Sequence, residues 1–163
     1  SFEGYAPHGI AVFVEGLTDN NNRTVASVRS AFNKYGGSLG TNGSLSFVFD
    51  RKGIFTIRNE GQNLEELELE MIDAGAEDFE VDEDTITITC AKEDFGNVSK
   101  KLSQMGIEPE ESRLKRIPND TKKLDVESAK KVLRFIEILE DDDDVQNVYH
   151  NLEMTDDLAA ALE

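Results

Sequence analysis

The sequence predicts an α+β protein with two ferredoxin-like-type α+β lobes, and three observations support this fold class. The chain opens with elements in the order β-α-β-β, which lacks the α-β pair needed for a complete βαββαβ layer. An amphipathic helix and a short strand near the other end supply that pair. An acidic α-β-β-α-β stretch lies between them. The predicted fold is therefore a βαββαβ lobe split by an inserted αββαβ lobe.

The first lobe begins with residues 10–14, a continuous apolar run typical of a strand buried on both faces. Asn22 is placed to cap a helix over residues 23–35, in which the apolar side chains recur at helical spacing. Residues 44–49 alternate between polar and apolar side chains, which predicts a second strand. A short third strand is expected near residues 54–57.

The inserted lobe begins at about residue 63, where the chain becomes strongly acidic. Helical spacing of apolar residues predicts one helix around residues 64–74 and another around residues 95–105. Between them, residues 79–89 are typical of a hairpin. A polar strand over residues 113–117 closes the lobe at Pro118.

The chain returns to the first lobe through its strongest amphipathic helix, residues 126–139, and a short strand at residues 145–150. The predicted domains are residues 1–62 plus 124–154, the insert 63–123, and a flexible tail 155–163. A simple string of two domains is the alternative, and it would leave the apolar face of the opening helix half covered.

Net charge limits the function classes. The chain has 163 residues with 17 basic and 34 acidic side chains, a net charge of −17. This balance disfavours tight phosphate binding by the chain as a whole. Residues 1–62 carry 6 basic and 5 acidic side chains, whereas residues 63–123 and 124–163 each have a net charge of −9. Nucleic-acid contacts are therefore expected in the first third.

Cysteine content and hydropathy predict a reducing, cytoplasmic location. The single cysteine, Cys90, cannot form an internal disulfide, and no Cys/His spacing suggests a metal site. No apolar run approaches the roughly 20 residues that span a bilayer. We predict no metal, no cofactor and no membrane partner. Because the chain starts at Ser1, close to a strand, we expect its natural N-terminus to be missing.

A strip of basic and hydroxyl side chains on the opening helix is the best candidate for nucleic-acid or partner binding. Its members are spaced 4, 3 and 4 residues apart, so they share the face opposite the apolar one. Arg51 and Lys52, at a predicted turn, could extend it. An ordinary solvated helix face is the alternative interpretation. The strip consists of Arg23, Ser27, Ser30 and Lys34.

Other patterns favour structural roles. The loop of residues 4–9 is interpreted as a turn into the first strand, and the tract of residues 140–144 as a hydrated helix end. Residues 46–49 resemble the aromatic strand of RNA-recognition sheets, but core packing of Phe47 and Phe49 is the favoured interpretation. Neither His8 nor His150 lies near Cys90 in sequence, so we predict no enzyme.

Several segments together resemble the YebC/PmpR family of regulatory proteins, in the same order over nearly the whole chain. They are GYAPHGIAVFVEGLTDNNNRT, FNKYGGSLGTNGSLSFVFDRKG, AGAEDFE, GIEPEES and DDVQNVYHN. The resemblance implies a basic helical N-terminal domain followed by two α+β domains, the last inserted in the middle one; this chain matches the latter two. The family commonly has GYGPGG in the opening loop, where this chain has Ala6 and His8.

The resemblance implies a cytoplasmic, DNA-binding transcriptional regulator of bacteria. It also leaves open a translational activator associated with RNA or the ribosome, as in mitochondrial and some bacterial relatives. In either case binding would occur mainly through the missing N-terminal domain. A small-molecule sensor is a third class, because βαββαβ modules elsewhere bind metabolites. The oligomeric state is left open.

Overall fold

Two four-stranded antiparallel sheets form the framework of the protein, which confirms the predicted α+β class. The computed structural model describes residues 1–162. The chain divides into a first unit, Ser1–Asp50 with Pro118–Glu163, and a second unit, Arg51–Ile117. These limits differ from the predicted ones, residues 1–62 plus 124–154 and 63–123. No helix among the described residues is long and apolar enough to cross a membrane.

The first unit is built from both ends of the chain. Its sheet has the order β3-β1-β2-β8, and its helices include α1 and α4, which pack against one face. The strands are β1 Phe2–Tyr5, β2 Ala11–Gly16, β3 Ser38–Leu39 and β8 Val145–His150. The helices are α1 Asn21–Lys34, α4 Val126–Glu140 and α5 Asp156–Ala161.

Strand β2 is buried on both faces, as its apolar run predicts. Val12 and Val14 pack with α1 and α4, where the rings of Phe32 and Phe135 meet edge to face at 4.9 Å. On the opposite face, Phe13 packs with Leu45 and Phe49 from the segment after β3. One short strand therefore joins two apolar clusters.

Helix α1 begins two residues earlier than predicted. The side chain of Asn20, not of Asn22, accepts a hydrogen bond from the backbone N–H of Arg23 at 3.1 Å. The predicted flexible tail also contains α5, whose Leu158 is only 2% exposed because it packs into the first core. Glu163, the last residue of that predicted tail, lies outside the described residues.

The second unit forms a complete βαββαβ arrangement within one continuous stretch. Its sheet order is β5-β6-β4-β7. The strands are β4 Phe49–Arg58, β5 Ala76–Val81, β6 Thr85–Ala91 and β7 Glu111–Pro118. Its helices, α2 Leu64–Asp73 and α3 Phe95–Gln104, cover one face through Met71 and Leu102, which pack with Phe55 and Ile57.

Of two strands predicted for the first lobe, one is a strand of the second sheet and the other is not a strand over most of its length. Residues 54–57 belong to β4 in the second sheet, where Ile54 pairs with Thr89 and Phe55 with Ile88. Residues 44–48 form turns rather than a strand, and the two-residue β3 pairs with β1 instead. The reason is physical: alternation predicts an extended segment but not the sheet that it joins.

Candidate nucleic-acid interface

The four members of the predicted strip lie on one face of α1. Arg23, Ser27, Ser30 and Lys34 are exposed and line a groove of about 680 Å³. The other wall of this groove comes from the end of α4 and the following turn, residues 138–144, including the acidic side chains of residues 141–144. The fold therefore places the most acidic tract of the chain beside the strip.

Arg23 is already paired within the first unit. Its Nε lies 3.1 Å from Asp144 Oδ2, and its second guanidinium nitrogen lies 2.8 Å from Asp144 Oδ1. The Thr24 hydroxyl donates a further hydrogen bond of 2.8 Å to Asp144 Oδ2. The hydrogen bond from Arg23, followed by that from Thr24, holds the pKa of Asp144 below its ordinary value. Arg23 also contacts Asp19 at 3.2 Å.

Ser27 is engaged by the same tract, because its hydroxyl donates a hydrogen bond to the carboxylate of Asp142. The predicted hydrated helix end is therefore only partly present. Asp141 and Asp143 are exposed, whereas Asp142 and Asp144 are half-buried and bonded to α1. The Ser27 hydroxyl must exchange its partner before it can donate to phosphate, whereas the Arg23 guanidinium, whose charge Asp144 already balances, keeps only its remaining N–H donors for one.

The other end of α1 is open. Lys34 and Arg29 are exposed, and neither forms an ion pair with an acidic side chain in the described chain. The Lys34 ammonium lies 5.8 Å from the ring centroid of Tyr35, a cation–π distance. Arg29, Ser30, Asn33 and Lys34 line one continuous surface. The sequence prediction missed Arg29, although its place next to Ser30 could have indicated it.

The other predicted site residues lie in the second unit. Arg51 and Lys52 are on β4, and Arg51 is exposed. The Lys52 ammonium is 2.7 Å from a carboxylate oxygen of Glu77. Lys52 is thus engaged with an acid of its own unit.

Cys90 and His150 are buried or already bonded, whereas His8 is exposed. Cys90 is fully buried, and this burial is the main cause that raises its thiol pKa to about 11, so the thiol is protonated at neutral pH. His150 Nδ1 accepts a hydrogen bond of 3.1 Å from the Leu152 N–H, and burial lowers the pKa of His150. Within residues 1–162, no group of three or more His, Cys, Asp or Glu side chains could hold a metal ion.

The two phenylalanines of the RNA-like pattern have opposite environments. Phe49 is 5% exposed and packs edge to face on Phe13 at 6.3 Å, which confirms the predicted core packing for this residue. Phe47 is 92% exposed, so the same prediction was wrong there. Residues 44–48 form turns, and the period-two alternation of a strand therefore does not apply to them.

The opening loop contains an unusual backbone conformation. His8 has φ +65° and ψ +18°, the left-handed region that glycine adopts without steric cost. Ala6 has φ −74° and needs no glycine. Of the two departures from the family pattern, only His8 therefore occupies a position that favours glycine.

Comparisons with known proteins agree with this fold. The family model described as the TACO1/YebC second and third domain matches residues 1–152. A probable transcriptional regulatory protein of Porphyromonas gingivalis is 48% identical over 153 residues, 93% of this chain and 63% of that protein. One of Flavobacterium johnsoniae is 50% identical over 151 residues, 93% of this chain and 64% of that protein.

A solved structure shows the same architecture. The crystal structure of a conserved hypothetical protein from Aquifex aeolicus superimposes with a TM-score of 0.81 at 38% sequence identity. The match covers 95% of this chain and 64% of that one. The chain thus spans slightly less than two thirds of the length of each of these relatives.

Proposed function

Because this chain belongs to the TACO1/YebC family, matching its second and third domains, we propose that it is part of a cytoplasmic regulator of gene expression. The regulator acts by binding DNA and protein partners, without catalysis or a cofactor. The observation that carries this proposal is the match to relatives named probable transcriptional regulatory proteins over 93% of the chain. The buried, protonated thiol of Cys90 supports the non-catalytic part.

Electrostatics supports a division of labour in DNA binding. A chain with a net charge of −17 repels a polyanion such as DNA from most directions of approach. In our proposal, most phosphate contacts are made by the part of the relatives' length that this chain does not span. The open end of α1, with Arg29 and Lys34, adds a small number of contacts. Arg23 and Ser27 add little, because Asp144 and Asp142 occupy them.

The salt dependence of duplex binding tests this division. Each phosphate contact adds about 0.9 to the steepness of log K against log salt. We expect the full-length Porphyromonas gingivalis relative to bind duplex DNA with a steep slope, and this chain to bind weakly with a slope below about 2. Tight, sequence-specific binding by this chain at physiological salt would refute the division. Absence of DNA binding by the full-length relative would refute the function.

A charge-matched pair of variants tests the α1 contribution. Arg29→Gln with Lys34→Gln should reduce the residual slope by up to about 1.8, two contacts' worth. Lys92→Gln with Lys100→Gln removes the same charge from exposed positions in the second unit and should leave the slope nearly unchanged. Equal changes in the slope for the two pairs of variants would mean that duplex binding depends only on the net charge of the chain and not on the position of these side chains.

RNA or the ribosome is the alternative target, and the exposed Phe47 favours it as a specific observation. Ribosome co-sedimentation of the full-length relative separates the two versions. The protein could stay with ribosomes at physiological salt and bind duplex DNA more weakly. This result would favour translational activation over transcriptional regulation. A ribosome pellet free of the protein would exclude the alternative.

A further inference from the structure

The segment of residues 41–48, here called the Phe47 loop, presents one aromatic ring to solvent. Phe47 is 92% exposed, although Leu45 on one side is 1% exposed and Phe49 on the other is 5% exposed. A single exposed apolar side chain is common on protein surfaces. The significance of this one therefore depends on how firmly the loop holds it.

Three backbone hydrogen bonds and one buried carboxylate fix the loop. Successive turns are closed by the N–H groups of Ser44, Ser46 and Val48, at 3.1, 3.1 and 3.0 Å from the carbonyls three residues earlier. Glu3, only 4% exposed, accepts hydrogen bonds from the N–H groups of Gly43 and, at 3.0 Å, Leu45. Burying a carboxylate costs free energy unless it is hydrogen-bonded. The two hydrogen bonds to Glu3 are therefore expected to persist and to hold the loop in place.

Asn119 fixes the backbone on both sides of the Phe47 peptide. Its side-chain amide donates to the Phe47 carbonyl at 3.0 Å, and its backbone N–H donates to the Val48 carbonyl at 2.8 Å. Leu45 and Phe49 anchor the loop in the cluster on the face of β2 opposite α1. The backbone that carries the Phe47 ring is therefore fixed before any ligand arrives.

The segment that carries the ring has no charged side chain and can form hydrogen bonds, while the buried carboxylate of Glu3 is bonded to its backbone. Residues 35–49 contain no Asp, Glu, Lys or Arg, and this is the longest such run in a chain with 31% charged residues. Asn42, Ser44 and Ser46 are exposed in the same loop as Phe47. The side chains of this segment therefore add no repulsion to a strand of nucleic acid, unlike those of either acidic stretch.

The composition of this surface favours a base over a protein pocket. Aromatic hot spots in protein interfaces are surrounded by contacts that exclude water. The loop that carries Phe47 instead exposes the hydroxyl groups of Ser44 and Ser46 and the amide of Asn42, which suit a base whose edge needs donors and acceptors. Stacking requires only an accessible ring face and tolerates any base. We propose that Phe47 stacks on an unpaired base of a single-stranded nucleic acid, with the polar groups of the Phe47 loop contacting its edge.

This inference adds a second contact to the proposed function, and its test does not depend on α1. The chain contains no tryptophan, so Phe47→Trp introduces a unique fluorophore at the stacking position. Adding single-stranded RNA or DNA 12-mers should quench this fluorescence, because a stacked base quenches tryptophan. No quenching at about 100 μM oligonucleotide, within the range of non-specific binding, would overturn the proposal.

Truncation variants provide the affinity test. Phe47→Ala should weaken single-strand binding roughly 5- to 150-fold, since stacking contributes about 1–3 kcal/mol per base. Leu17→Ala, which also removes a 73% exposed apolar side chain from the first unit, should leave affinity unchanged. Equal losses in both variants would contradict stacking.

Two further outcomes are informative. If Phe47→Ala abolishes crosslinking to a protein but leaves oligonucleotide binding intact, the loop is a protein contact and the proposal is wrong. Phe47→Ala could weaken single-strand binding while Arg29→Gln with Lys34→Gln leaves duplex binding unchanged. This outcome would support the stacking site and contradict the proposed contribution of α1. Unchanged unfolding midpoints will establish that the variants are folded, as expected for so exposed a residue.

Discussion

The two units differ in how far apart in sequence their contacts lie. The second unit is one continuous stretch, Arg51–Ile117, that forms a complete sheet-and-helices layer. The first unit joins segments near both ends of the chain. The Ala11 N–H donates to Asn151 Oδ1 at 2.8 Å across 140 residues, and Arg23 pairs with Asp144 across 121.

Because of this difference, the net charge of one sequence segment is a poor guide to the surface charge of the first unit. Residues 1–62 look neutral by themselves, with a net charge of +1. In the folded first unit, however, the acidic tract from the other end lies beside the strip on α1. A cationic surface cannot be assigned from one segment when the fold brings a distant acidic segment to it. Variants of the contacts between distant segments test this dependence.

Core truncation should have the largest effect and should distinguish the units. Phe135→Ala removes a fully buried ring that contacts Phe32 and Tyr35, and we expect a loss of about 3–5 kcal/mol in the free energy of unfolding. Hydrogen exchange should accelerate in residues 1–50 and 118–162 together, because both segments share one core. Leu102→Ala is the control, with faster exchange in residues 51–117. Acceleration confined to residues 118–162 in the Phe135 variant would argue against a shared core.

Removing the Asp144 charge should have a smaller, pH-dependent effect. Because Arg23 and Thr24 lower the folded-state pKa of Asp144, its contribution to stability is present above the ordinary aspartate pKa of about 3.9. It is lost as the pH falls through the lower folded-state value. Asp144→Asn should therefore lower the unfolding midpoint at pH 7, and the difference from the unmodified protein should shrink below pH ~4.

Asp143→Asn is the matched control for this charge, since Asp143 is an exposed neighbour in the same tract. It should change the midpoint little at any pH. A second readout is expected from the Asp144 variant, because release of Arg23 should steepen the salt dependence of duplex binding. If both variants behave alike, the contact between the two chain ends contributes nothing specific.

Backbone strain in the opening loop should give the smallest effect. His8→Gly relieves a left-handed conformation that costs about 1–2 kcal/mol for most residues, and the greater freedom of glycine in the unfolded chain offsets part of this. We expect a net gain of about 0.5–1 kcal/mol, measured by denaturant unfolding. Ala6→Gly, at φ −74°, should instead lose stability. A loss in both variants would show that His8 is not strained.

Much of the site could be predicted because it depends on helical spacing. The spacing of Arg23, Ser27, Ser30 and Lys34 places them on one face of any helix, and the structure has them there. The pairing of Arg23 with Asp144 could not be predicted, because no local pattern links residues 121 positions apart. The prediction for Phe47 is wrong because alternation of apolar residues predicts a strand, whereas the backbone turns at that point.

Local sequence is sufficient to predict the α+β class, helices α1 and α4 within a few residues, the double-sided burial of β2, and the family. Apolar periodicity encodes which face of an element is buried, and this information is contained in neighbouring residues. The folded structure is needed to show which sheet β4 joins, which carboxylates bond to the strip, and that Phe47 faces solvent. These features depend on contacts between distant residues, whose free energy is set by the whole fold and not by any local pattern.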